Sequence, residues 1–431
     1  MDKVDTIISS KWLLNPAKNL IMEDYALVID GNIIRDILPS HEVKRKYSSV
    51  NNTILNNHVV MPGLVNSNYN SSLAAFEHIE RINKEPTKDI YKSDKVLHND
   101  DEYKKTFSQL SIVKMLKKGI TTFCDIGIFT NSIIDEILKT RIRSCIGLEI
   151  HNKRTLWTNN EDDCLEKALG ILDYYKGNPN VNFFFNPTSI VDVSESMLKK
   201  VSKIANELDV PIRMNINISD EEINTCIKNH GCRPLEYIDN LDIINNKFVA
   251  VNSLILNEND IKILEKYRAS IIISKSTLLL SKNIKIEKLI KTKINIILST
   301  DKYQSINLDL LDEMSIFSLL SDIKKCQVST KNIFKFVTIN PAQSLGLEQL
   351  IGVFDKGYSA DIVSINIKDI IQTNLILFNG IENDLKSMNI DNVWISGKQL
   401  LKNSKLLTIN ENKIYDKFKK INDQVIRNEH R

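Results

Sequence analysis

The stretch Val60-Met61-Pro62-Gly63-Leu64-Val65-Asn66 divides the chain into two kinds of pattern. Before it the residues read as short strands: Asp5 to Ser9, then Tyr25 to Asp30, the turn Gly31-Asn32, and Ile33 to Leu38, most simply a hairpin. After Pro62-Gly63, apolar strands alternate with amphipathic helical stretches, which is the signature of a parallel α/β fold. The strand candidates are Val59 to Asn66, Thr121 to Ile126, Ser144 to Ile150, Val181 to Phe185, Pro211 to Ile218, Phe248 to Asn252, Ser270 to Ser274 and Ile294 to Ser299. Helical stretches lie between them, such as Tyr103 to Lys118, stopped by Gly119, and Ser194 to Leu208, opened by Ser194 as N-cap. These units suit a closed α/β barrel. Past Pro341 strand chemistry returns, in Ala360 to Ile365 and Val393 to Lys398, so the two ends of the chain are expected to pair beside the barrel.

Composition narrows the function classes. At 431 residues and 42% hydrophobic content the chain is long enough for one large barrel and a smaller attached unit. Its 57 basic and 54 acidic residues nearly cancel and are interspersed, which argues against a dedicated nucleic-acid surface. Cys124, Cys145, Cys164, Cys226, Cys232 and Cys326 contain no C-x-x-C pair and read as reduced, buried thiols. No segment approaches the roughly twenty apolar residues that span a bilayer, so a cytoplasmic protein without membrane or nucleic-acid partners is expected. Asn, Lys and Ile are abundant. AT-rich codons encode all three, so base-composition drift competes with selection in any reading of an asparagine.

The residues around Pro62-Gly63 resemble the start of the first barrel strand in the amidohydrolase superfamily, specifically its 5-methylthioadenosine/S-adenosylhomocysteine deaminase (TRZ/ATZ chlorohydrolase-like) branch. Further landmarks follow in the same order: Thr121 to Asp125, Gly231-Cys232-Arg233-Pro234-Leu235, Ser299-Thr300-Asp301, Leu310 to Met314, Asn340-Pro341-Ala342-Gln343 and Gly357 to Val363. The resemblance implies an α/β fold, a (β/α)8 TIM barrel with a small β-sandwich domain formed by the N- and C-terminal segments. The expected bounds are 1–60 and 346–410 for the two parts of the β-domain, 61–345 for the barrel and 411–431 for a charged, solvated terminal helix or tail.

In such enzymes one divalent metal is held by a His-x-His on strand one, a His on strand five and an Asp on strand eight. The metal lowers the pKa of its bound water so that hydroxide attacks an amidine-like carbon. A Glu after strand five and a His on strand six move protons. Carried over residue by residue, the strand-one pair falls on Asn68 and Asn70, and the strand-four substrate His on Thr188. A gapless alignment through Gly231 and Pro234 puts the strand-five His at Asn215 and the Glu at Ile218; a slip of two gives Asn217 and Asp220 instead. The strand-six His falls on Asn252, and Asp301 alone is retained.

An amide oxygen is a poor zinc ligand, and one Asp with several amides falls short of the three protein ligands a catalytic zinc normally takes. No cofactor is therefore expected, with zinc or iron returning only under a different alignment. The asparagines read either as a hydrogen-bonding pocket or as drift that preserves packing, and Asp301 either as a functional survivor or as a strand-end carboxylate tied to its loop. None of His41, His58, His78, His98, His151, His230 and His430 falls at a motif position, and Cys226, His230 and Cys232 lie on a helix where the family has surface residues. Glu77 to Arg81 falls on the substrate side, and Lys84 to Lys105 reads as a solvated lid or connection. The expectation is a catalytically inactive homologue with a ligand-binding, regulatory or assembly role, binding a nucleoside-like molecule and associating with itself or with an active homologue. The alternative is a divergent hydrolase acting on C–N bonds, a deaminase of a purine nucleoside such as methylthioadenosine or S-adenosylhomocysteine.

Overall fold

The computed structural model describes residues 1–18, 21–71, 101–127, 130–155, 157–280, 286–300, 308–368 and 380–429. Two sheets organise them. The first is formed by β1 (Asp2–Leu14), β2 (Ile21–Asp30), β3 (Ile33–Pro39) and β4 (Tyr47–Pro62) from the start of the chain. The second is formed by β5 (Leu64–Tyr69), β6 (Ile120–Asp125), β7 (Arg143–Ile150), β8 (Val181–Pro187), β9 (Ile212–Asn215), β10 (Phe248–Val251), β11 (Ser270–Ile273) and β12 (Asn295–Leu298), paired in chain order. Its strand pairs are all parallel. From the end of the chain β13 (Ile362–Asn366), β14 (Ile390–Ile395), β15 (Lys398–Lys402) and β16 (Lys405–Leu406) join the first sheet, through β13 against the last residues of β4.

The stretch read as one strand, Val59 to Asn66, is split by Gly63. Val59 to Pro62 finish β4, and Leu64 begins the barrel. The Gly63 N–H donates to the Asp361 carbonyl at 3.0 Å, and a Cβ at Gly63 would lie 2.0 Å from Oγ1 of Thr121. Only a residue without a side chain lets the two strands approach here.

Asp361 ties the sheets together a second time. The Arg143 guanidinium, at the start of β7, donates to its carboxylate at 3.3 Å and to the hydroxyls of Ser359 and Ser396, each at 3.1 Å. Both charged side chains are buried, so this ion pair is stabilising only because its remaining donors and acceptors are also met.

Alternation along the barrel strands separates the interior from the helical shell. Ile146, Leu148 and Ile150 of β7, Phe185 of β8 and Ile212 and Met214 of β9 belong to the large outer core, whereas Cys145 and Phe184 pack in a separate cluster. Val249, Val251, Ile272 and Ile297 form another interior layer. Residues of the inward parity therefore include Glu149, Thr188, Arg213 and Asn215.

The N-cap reading of Ser194 holds: its hydroxyl accepts from the Met197 N–H. The terminal segment, expected as a solvated helix or tail, takes the helical form. It forms a helix, Glu411–Glu429, whose Ile414 packs against Leu110 and Val113, with Phe418 against the same cluster. Its few apolar residues recur on one face, and that face is docked. No helix among the described residues is long and apolar enough to cross a membrane.

Candidate active site

The carboxyl ends of parallel barrel strands are where such a fold carries its chemistry, because the loops that leave them converge on the barrel axis. Here β5 and β12, first and last in the barrel, are joined by side chains. Ser299 Oγ donates to Asn66 Oδ1 at 2.6 Å, Thr300 N–H donates to the same oxygen at 3.3 Å, and Asn66 Nδ2 donates to Thr300 Oγ1 at 2.9 Å. This buried amide closes the ring directly below Asn68, which is itself 4% exposed, and Asn70, which is half-buried.

The strand-four, strand-five and strand-six positions are brought together. Asn252 Nδ2 donates to Asn215 Oδ1 at 2.7 Å, and Asn215 Nδ2 donates to the Thr188 carbonyl at 3.3 Å. Three residues far apart in sequence thus form one chain of hydrogen bonds across β8, β9 and the end of β10. Asn252 adopts a left-handed conformation with φ 52°, a backbone that asparagine tolerates better than most side chains.

Ile218 offers only its backbone, donating its N–H to Glu222 Oε2 at 2.7 Å. Asn217 is fully buried at φ 56°, and neither atom of its amide has a partner among the described residues. Asp220 begins the helix Asp220–His230, capped by the Ser219 hydroxyl. Asp301, Glu77 to Arg81 and most of the Lys84 to Lys105 segment lie outside the described residues.

Several groups at this end of the barrel are given no role by the resemblance. Glu149, on the inward side of β7 one residue from its end, has a carboxyl pushed up to about 7 by burial, only partly relieved by the Lys153 ammonium. Burial also raises Asp125, at the end of β6, to about 6, although its Oδ1 accepts from the N–H groups of Ser71 and Gly127. Below them Arg213 is buried over the Phe184 ring, its Cζ 4.5 Å from the centroid, with Nε and one terminal nitrogen unpartnered among the described residues. The signal for Glu149 and Arg213 was a charged residue of inward parity inside an otherwise apolar strand.

Among the described residues, the donors at the positions that the resemblance assigns to metal ligands do not suit a transition metal: Asn68, Asn70 and Asn215 are amides and supply no imidazole or thiolate. The oxygen of Asn215 is already an acceptor for Asn252 and its nitrogen a donor to Thr188. Among the described residues no group of three His, Cys, Asp or Glu side chains can hold a metal ion. His230, near Cys226 and Cys232, stacks on the Tyr237 ring at 3.9 Å instead.

A sequence profile described as the amidohydrolase family matches residues 59–400. The chain is 28% identical over 425 residues to a 5-methylthioadenosine/S-adenosylhomocysteine deaminase of Saccharophagus degradans, covering 96% of this chain and 95% of that one. It is 28% identical over 415 residues to a 5'-deoxyadenosine deaminase of Methanococcus vannielii, covering 90% of this chain and 94% of that one. Among solved structures, an adenosine deaminase from Xanthomonas campestris with bound zinc superposes with a TM-score of 0.87 at 18% identity, over 99% of both chains. An atrazine chlorohydrolase from Arthrobacter aurescens complexed with zinc superposes with a TM-score of 0.83 at 14% identity, over 97% of this chain and 100% of that one. These structures show the same barrel and flanking sheet. With a profile match across most of its length and an eight-stranded parallel barrel entered through Pro62-Gly63, this chain belongs to the amidohydrolase family.

Proposed function

We propose that the chain is a hydrolase of the nucleoside-deaminase type, which takes a purine-nucleoside-like molecule at the carboxyl-terminal mouth of the barrel and acts on a C–N bond. The observation that carries this reading is relatedness to deaminases over nearly the whole length of both chains. The inward residues Glu149, Thr188 and Asn215, with Asn252 just past the end of β10, supply hydrogen-bonding groups at that mouth. A carboxyl with a pKa of about 7 is poised to take or give a proton at neutral pH.

The test is incubation with adenosine, methylthioadenosine, S-adenosylhomocysteine and 5'-deoxyadenosine, with ammonia release and conversion of the adenine chromophore followed together. Turnover that survives a strong chelator supports the proposal. Absence of turnover with all four, in protein that is folded and loaded with zinc or iron, sinks it.

A second reading is favoured by one observation, the mutual engagement of Asn215 and Asn252. Both stand at positions that the resemblance assigns to imidazoles, and they bond to one another. That arrangement suits a chain that binds its ligand without turning it over. Saturable binding of a nucleoside by calorimetry, without any product, is the outcome that selects it.

A further inference from the structure

One buried charge inside the barrel has no carboxylate to meet it. Arg213, on the inward side of β9, is 1% exposed, and among the described residues the groups that act on its charge are the sulfurs of Cys124 and Cys145. A guanidinium keeps its proton in a protein, so the charge stays in the interior and calls for a negative partner. Cys124 on β6 and Cys145 on β7 are direct partners in the parallel register, which sets their backbones roughly 4.8 Å apart. Both are buried and pack with Phe184, the ring beneath the Arg213 guanidinium. Their thiols share a hydrogen bond, and Arg213 donates another to Cys124. The three side chains form one cluster in an apolar jacket that includes Val65, Ala342 and Leu345. Along β7 the cluster lies four residues below Glu149, on the order of 13 Å at strand rise, so it is separate from the barrel mouth.

We propose that Cys124 and Cys145 form a two-coordinate site for a soft monovalent cation, copper(I), with Arg213 as the counter-charge. Thiolate is a ligand type that selects copper(I). Structural zinc takes four ligands, and among the described residues no third His, Cys, Asp or Glu side chain joins these two. Charge separates the remaining soft ions. Two thiolates around copper(I) carry one net negative charge, which Arg213 cancels. Mercury(II) between the same sulfurs is neutral and leaves the guanidinium uncompensated in an apolar interior. A disulfide between the two residues leaves it uncompensated in the same way. Each sulfur that is still protonated releases its proton to solvent as copper(I) binds, and no electron is transferred.

The test supplies copper to the full chain by two routes: growth of the producing cells with copper, and anaerobic incubation of the reduced, purified protein with copper(I) buffered by bicinchoninate. One copper(I) per chain is expected, with an X-ray absorption spectrum of two sulfur ligands and no nitrogen. C124S and C145S are each expected to lose the ion, and C164S, at a buried thiol of the outer core, to keep it. R213M keeps both thiols, and its copper(I) affinity is expected to fall at least about tenfold while its mercury(II) affinity does not. The spectrum is taken on the unsubstituted protein, so it decides the ligand set even where a variant unfolds. No copper by either route, nitrogen or a third sulfur in the spectrum, copper retained by folded C124S or C145S, or undiminished copper(I) affinity in R213M each overturns the site.

Discussion

The side-chain amide of Asn252 donates to that of Asn215 at 2.7 Å, joining two positions that the family resemblance assigns to imidazoles. The bond occupies the side-chain oxygen of Asn215. It also makes Asn252→Ala a defined experiment. The loss leaves the Asn215 acceptor without its donor and is expected to lower unfolding stability by about 1 kcal/mol in urea titration. An unchanged midpoint would show that solvent replaces the Asn252 amide without cost.

Introducing imidazoles as N68H/N70H/N215H is expected to raise zinc content, by elemental analysis of purified protein, from a trace to about one ion per chain, as three protein ligands on one site are restored. The unsubstituted protein carrying the same amount of zinc would refute the donor-chemistry reading.

Glu149 makes stability depend on pH in a predictable direction. Its carboxyl is raised from 4.5 to about 7 in the folded chain, so between those values the folded state binds more protons than the unfolded one. The penalty of ionising it is absent below about pH 4.5, grows as pH rises and is complete above about pH 7. Glu149→Gln removes the penalty, so the substituted protein is expected to be the more stable one at pH 8 by no more than about 3 kcal/mol, with the advantage vanishing in acid. A pH-independent difference between the two midpoints would count against the buried, protonatable carboxyl.

Gly63 is expected to tolerate no side chain. With Oγ1 of Thr121 2.0 Å and its Cγ2 2.5 Å from the place of a Cβ, Gly63→Ala forces β5 and β6 apart. The cost is expected at about 1–3 kcal/mol, read as a lowered thermal midpoint, because overpacking a dense interior strains its neighbours. Thermal behaviour equal to the unsubstituted protein would mean that Thr121 can withdraw.

Much of the fold was legible because it depends on local periodicity. Runs such as Ser144 to Ile150 and Ile294 to Ser299 are apolar on both faces, as a parallel strand between barrel core and helical shell must be. The strand ends Thr188, Asn215 and Asn252 could be named from motif order, but nothing in their local sequence says that their side chains and carbonyls bond to one another. Glu149 was passed over for a related reason: a charged residue in a strand shows its parity, not the burial that shifts its pKa. The docking of the terminal helix was not legible because its apolar residues are sparse, and only Leu110 and Val113 on the helix Asp101–Lys117 reveal the surface that receives them.

By itself the sequence determined the strand and helix order, the passage between sheets at Pro62-Gly63, the balance of charge and the presence of asparagine at positions 68, 70, 215 and 252. These are properties of single residues and their near neighbours. Tertiary structure alone decided that Asn66 closes the barrel, that Asn215 and Asn252 bond to each other and that the half-buried Glu149 stands at the mouth. Each of these depends on which distant strand arrives alongside, and hence on how eight strands close into a ring and how the two chain ends share one sheet.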